Sequence, residues 1–137
     1  MGLILDSSVV IRAERRGLSI EELIVNIENL IGDADVAFSA VCLTEFVHGI
    51  YRASNPQIRA SREGFLNDLL RIMPVIPYSQ ETALLAGRID GEEQAQGITI
   101  LFADLLIGAT ALSIGFSVLT SNPRHFRLIP GLNVVPF

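Results

Sequence analysis

Short apolar runs alternate with longer amphipathic stretches along the whole chain. Leu3-Ile4-Leu5 has no polar alternation, as expected of a strand buried on both faces. Asp6-Ser7-Ser8 supplies helix-capping residue types, and Val9 to Arg16 reads as a short helix stopped by Gly17. Ser19 with Glu22 three residues on is a capping box, opening a helix through about Ile31. Val36 to Ser39 is a second buried strand. Val41 to about Tyr51 is a helix with Leu43, Phe46, Val47 and Ile50 on one face, broken at Asn55-Pro56. A further helix runs from Ile58 to Ile72, then a strand, Val75-Ile76, between Pro74 and Pro77. Glu81 to Gln96 and Phe102 to Ile114 read as helices, Ser117 to Thr120 as a fourth strand, and Val134-Val135 as a fifth at an edge. This alternation predicts a three-layer α/β/α sandwich around a short parallel sheet of about five strands. No linker divides the chain, so residues 1–137 are expected to form one domain.

Composition adds three constraints. Half of the 137 residues are hydrophobic and 18% are charged, which suits a packed globular protein. The apolar stretch Ile98 to Leu119 is long enough to cross a bilayer, but it contains Asp104 and is divided at Gly115, so it reads as a buried helix and strand. The first residues lack the basic and long apolar regions of a signal peptide, and the single cysteine, Cys42, allows no intrachain disulfide. A cytoplasmic location without membrane attachment is expected, with Cys42 a buried thiol. Net charge is −5, against a general nucleic-acid binder but compatible with acids gathered around metal ions. All ten basic residues are arginine.

In open parallel sheets ligands bind beyond the carboxyl ends of the strands, so the polar residues there carry the chemistry. Asp6 closes the first strand, where it either caps the next helix or projects into the crevice. Asp104 is the only acidic or basic residue between Ile98 and Pro123; it either caps a helix starting at Leu105, is paired or protonated, or binds a cation. Glu45 points away from the apolar face of its helix, where a solvated glutamate is the ordinary reading. Asn122, in Thr120-Ser121-Asn122-Pro123, is a turn residue that also offers an amide oxygen. Three carboxylates and an amide from four segments, with no histidine pair, suit Mg²⁺ (or Mn²⁺ in its place) rather than zinc. His48 and His125 read as structural or surface residues. Arg12, Arg15 and Arg16 share a helix face near the first strand, and Arg124 and Arg127 follow the fourth; they are either solvated or contact phosphate or a partner.

The segments Leu5-Asp6-Ser7-Ser8-Val9, Ser39 to Phe46 with Gly49, Phe102 to Ala111, and Leu119 to Phe126 with Pro130-Gly131-Leu132 together resemble a PIN domain, and the VapC toxins in particular. The resemblance spans essentially the whole chain in the right order. It implies a Mg²⁺-dependent endoribonuclease leaving 5′-phosphate and 3′-hydroxyl ends, with Asp6 and Asp104 as metal ligands and Glu45 as a ligand or water-orienting group. A fourth acid of many PIN domains falls at Asn122, which lacks the charge a second metal needs, so Asn122 is expected to act as a polar neighbour. The resemblance further implies a homodimer restrained by an antitoxin protein. Two alternatives stand beside this reading: a PIN-fold binding module without catalysis, and a phosphatase using Asp6 as nucleophile, although Ser8 stands where such enzymes carry a second aspartate.

Overall fold

A computed structural model describes all of residues 1–137. The elements are β1 (Gly2–Leu5), α1 (Ser7–Arg15), α2 (Ile20–Ile31), β2 (Asp35–Ser39), α3 (Ala40–Tyr51), α4 (Pro56–Ile72), β3 (Val75–Ile76), α5 (Gln80–Ala95), α6 (Phe102–Ser113), β4 (Ser117–Thr120), α7 (Pro123–Phe126) and β5 (Val134–Pro136). The five strands form one parallel sheet in the order β3-β2-β1-β4-β5, flanked by the seven helices.

The apolar runs sit where their lack of alternation demands. Successive strand residues face opposite sides of a sheet, so a strand without alternation needs cover on both. Leu3, Ile4 and Leu5 are fully buried, as are Val118 and Leu119 on the adjacent β4. No helix is long and apolar enough to cross a membrane; Ile98 to Leu119 divides into α6 and β4, with Gly115 at φ 71° between them.

Helix ends follow local chemistry. The Ser19 hydroxyl accepts from the Glu22 N–H while Glu22 accepts from the Ser19 N–H, the reciprocal pair expected at α2. Asn55 caps α4 rather than merely ending α3, its side chain accepting from the Ile58 N–H with Pro56 in the first turn. The buried stripe of α3 is Cys42, Phe46 and Ile50, with Leu43 and Val47 only partly covered. That stripe is rotated from the Leu43/Phe46/Val47/Ile50 face expected from the sequence, and Glu45 now stands at its margin. The short helix α7 was not anticipated: its four residues offer no apolar period, only Pro123 after Asn122.

Chain direction across the sheet reverses once. From β1 the chain moves outward through β2 and β3, then returns to pair β4 with β1's other side. The carboxyl ends of β1 and β4 therefore flank the topological switch point, where two connections diverge and leave a crevice.

Candidate active site

Asp6 stands at this switch point. Its N–H donates to the Leu119 carbonyl at 2.9 Å, extending the β1–β4 ladder by one residue and fixing the backbone. It occupies the N-cap position of α1 but makes no side-chain capping bond. Instead one carboxylate oxygen, Oδ2, accepts from Ser8 Oγ at 2.7 Å and Thr120 Oγ1 at 2.8 Å. The capping alternative for Asp6 is thereby replaced: its side chain turns into the crevice, held by hydroxyls from α1 and β4.

Those hydroxyls are tied in turn to the β4–α7 turn. Thr120 Oγ1 accepts from the Asn122 N–H at 2.9 Å, and Ser8 Oγ accepts from the Ser121 N–H at 3.2 Å. Asp6, itself only 5% exposed, is thus oriented through a network whose members are otherwise bonded to backbone. Such networks hold a charged side chain in one geometry.

Glu45 is the second acid, and its reading as a solvated-face residue does not survive. It is half-buried, and Ser7 Oγ donates to its Oε1 at 3.0 Å. Burial pushes its pKa up, aided by the charges of Asp6 and Asp104, while the Ser7 hydrogen bond works in the opposite direction. Ligand atoms of Asp6, Glu45 and Cys42 lie within 4.8 Å of one another. The Cys42 thiol is not a candidate ligand in this group: burial pushes its pKa up to about 12, so it stays protonated. Asp104 does not belong to that tight cluster.

Asp104 reaches the crevice from α6. It is in the first turn of α6, whose N-cap is Leu101, so the helix begins before it and Asp104 does not cap one starting at Leu105. A carboxylate in the first turn is favoured by the helix dipole. Burial nevertheless raises its pKa, the Asp6 charge raises it further, and His125 lowers it. Asp6, Asp104, Asn122, Arg124 and His125 line a crevice of about 470 Å³. Asn122 is exposed at its rim, at the N-cap position of α7 without a side-chain capping bond.

None of these acids takes part in a salt bridge. The protein's ion pairs are Arg62–Glu14, Arg71–Asp68 and Arg88–Glu92, none of them at the crevice. Asp6 and Asp104 therefore line the crevice and Glu45 stands beside Asp6, all three without a salt-bridge partner, and both Glu45 and Asp104 feel the charge of Asp6. Hard oxygen donors with unneutralised charge, beside a thiol that stays neutral, form a donor set that fits Mg²⁺ or Mn²⁺. His48, on α3, is exposed, whereas His125 reaches the crevice wall.

The sequence did not reveal the hydroxyl partners. Ser7 meets Glu45 across 38 residues and Thr120 meets Asp6 across 114. Seeing Asp6 and Thr120 close β1 and β4 was the available clue, usable once those strands were paired.

Comparison with known proteins follows the same outline. The PIN domain family model matches residues 3–132. The chain is 33% identical over 135 residues to Ribonuclease VapC1 of Rickettsia felis, spanning 98% of this chain and 96% of that protein. It is 30% identical over 100 residues to the tRNA(fMet)-specific endonuclease VapC of Salmonella typhimurium, spanning 72% and 73%. Among solved structures, VapBC2 from Rickettsia felis bound to a promoter DNA fragment superposes with a TM-score of 0.85 at 22% identity, covering 100% of this chain and 99% of that one. VapBC-5 from Mycobacterium tuberculosis superposes at 0.77 with 26% identity, covering 99% and 98%.

Proposed function

Because the chain belongs to the PIN-domain family, with VapC ribonucleases among its relatives, we propose that it is a Mg²⁺-dependent endoribonuclease and the toxin of a toxin–antitoxin pair. The observation that carries this reading is that Asp6 and Asp104 line the switch-point crevice with Glu45 beside Asp6, none of the three in a salt bridge.

Asp6 and Asp104 would hold the ion, with Glu45 as a further ligand or as the group that orients the attacking water. A divalent cation bound there neutralises charge on a phosphodiester and lowers the pKa of coordinated water. The remaining work belongs to the chain. Ser8 and Thr120 hold the Asp6 carboxylate through one oxygen, leaving Oδ1 free of side-chain hydrogen bonds. Ser7 holds Glu45 through Oε1 in the same way, so neither acid must be ordered when substrate arrives. Asn122 contributes an uncharged amide at the rim, which suits a polar contact better than a second metal. Arg124, lining the same crevice, offers a planar donor fork to phosphate.

The aspartate-nucleophile alternative finds no support. The residue two positions after Asp6 is Ser8, whose hydroxyl donates to Asp6 itself, and no second acid occupies that place.

The relatives include chains solved in VapBC complexes, which supports an antitoxin as partner. An antitoxin tail carrying a basic side chain would match the charge of the crevice and exclude the metal. Exposed apolar side chains, including Tyr51, Leu84, Leu101 and Phe102, support a homodimer that covers part of this surface. The cytoplasmic location expected from the sequence is one in which such an RNA substrate would be met.

The test combines Mn²⁺ titration by calorimetry with cleavage of unstructured RNA and of initiator tRNA, with and without a co-expressed partner from the adjoining reading frame. Metal binding, metal-dependent cleavage and suppression by a co-purifying partner are expected. Absence of metal binding would leave only a docking module. Light scattering should give about twice the chain mass, and a fully active monomer harmless on overexpression would remove the toxin role.

A further inference from the structure

A second cleft, of about 440 Å³, adjoins the acidic crevice and is lined by Ser8, Ile11, Arg12, Arg15, Arg16 and Ser121. The two share Ser121 as a wall residue. Helix periodicity explains the lining: Ser8, Ile11, Arg12 and Arg15 are spaced i, i+3, i+4 and i+7 on α1, one face of a helix. The same face that hands a hydroxyl to Asp6 therefore carries arginines away from it. At 1.5 Å per residue, Arg12 and Arg15 stand about 6 and 10 Å along the axis from Ser8.

The charge of this face is unspent. The only acid of α1, Glu14, pairs with Arg62 of α4 at 3.6 Å. Arg12, Arg15 and Arg16 are exposed; Arg15 and Arg16 make no ion pair, and Arg12 donates to the main-chain oxygen of Phe137 at 3.4 Å. At the shared wall, Ser121 Oγ is buried without a hydrogen-bond partner. An acidic protein that must admit a polyanion past three carboxylates needs cations close to the entry. Three exposed guanidiniums, of which those of Arg15 and Arg16 make no ion pair or hydrogen bond, begin one helical turn from Asp6's hydroxyl partner and meet that need.

We propose that this cleft is the binding path for the single RNA strand flanking the scissile bond: Arg12, Arg15 and Arg16 hold its backbone phosphates, and the Ser121 hydroxyl donates to the strand where it passes between the clefts. The proposal rests on the ribonuclease reading for its ligand, and its test separates the two. Binding of a short labelled unstructured oligoribonucleotide is measured by fluorescence anisotropy in EDTA, where no cleavage occurs, for wild type and Arg15→Gln/Arg16→Gln. The double variant should bind about tenfold or more weakly at low salt. Its slope of log affinity against log salt should shrink by about 1.4, since each single-strand phosphate contact contributes about 0.7. Arg15→Lys/Arg16→Lys should keep the slope. With Mg²⁺, the double glutamine variant should show a raised KM on a long strand, with kcat within about twofold. A dinucleotide too short to reach Arg15 should show no change. Unchanged affinity and slope in EDTA would overturn the proposal, and if the same variant lost a co-purifying protein partner, the cleft would belong to that partner. Failure of every RNA to be cleaved, with arginine-dependent binding intact, would overturn the nuclease reading and leave the RNA path standing.

Discussion

Replacing Asp6 with Asn should make the protein more stable without metal and less stable with it. The substitution keeps size, and an amide oxygen placed at Oδ2 still accepts from Ser8 and Thr120. Moving from a charged to a neutral acceptor weakens those two bonds by roughly 1–2 kcal/mol together. Against this stands repulsion. Ligand oxygens of Asp6 and Glu45 lie within 4.8 Å, worth roughly 3.5 kcal/mol at an effective dielectric of 20. Half-exposure of Glu45 cuts that to about 1–2 kcal/mol by solvent screening. Asp104 adds a smaller repulsion, and a buried carboxylate without a cation carries a desolvation cost of its own. The balance favours Asn by about 1 kcal/mol or more, a rise in Tm of about 3–5 °C in EDTA at pH 8. Saturating Mn²⁺, at about a hundred times its Kd, should stabilise wild type by about 2.7 kcal/mol and reverse the order. Differential scanning calorimetry in both conditions reads this crossover. A fall in Tm of several degrees for the variant in EDTA would refute the repulsion argument and return Asp6 to a structural role.

Thr120→Val keeps shape but leaves Asp6 with one hydroxyl donor and the Asn122 N–H without its acceptor. A loss of about 2–3 kcal/mol is expected, read as a Tm decrease near 10 °C with loss of cleavage, and a change within about 2 °C would show the network to be incidental. Asn122→Asp should tighten Mn²⁺ binding or raise its stoichiometry in calorimetry; no change in either would put Asn122 outside the coordination sphere. The pH dependence has a definite sign. Asp104 has a raised pKa in the fold, so the unfolded chain releases that proton first, and the contribution to stability is complete below about pH 4 and lost as pH rises through the folded value. In chelator, the Tm gain from Asp104→Asn should therefore be absent below about pH 4 and grow toward neutrality; a gain independent of pH would mean that charge is not its cause.

The strands and long helices were legible because burial on both faces, capping boxes and glycine stops are local signals. Leu3-Ile4-Leu5 and the Ser19–Glu22 pair illustrate this, and their elements form as expected. Asp6 and Asp104 stood out because an acid after a buried strand, or inside an apolar run, needs a reason. Glu45 was harder, since its place depends on a modest rotation of α3 that puts Cys42 rather than Leu43 in the core. Ser7, Ser8 and Thr120 were not legible as the groups that orient the acids. Hydroxyls are common in turns, and only the pairing of β1 with β4 brings Thr120 to Asp6. The short α7 escaped for the opposite reason: four residues are too few to display a helical period.

The central claim is that RNA is cleaved by the carboxylates at the switch point with a bound divalent ion. Its most direct test is cleavage of an unstructured RNA by the purified chain and by Asp104→Asn, each in Mg²⁺ and in EDTA, with product ends identified by mass spectrometry. The account predicts cleavage only by wild type in Mg²⁺, yielding 5′-phosphate and 3′-hydroxyl ends, from a variant pair that melts cooperatively in both cases. Cleavage by Asp104→Asn at the wild-type rate, or by wild type in EDTA, would contradict it.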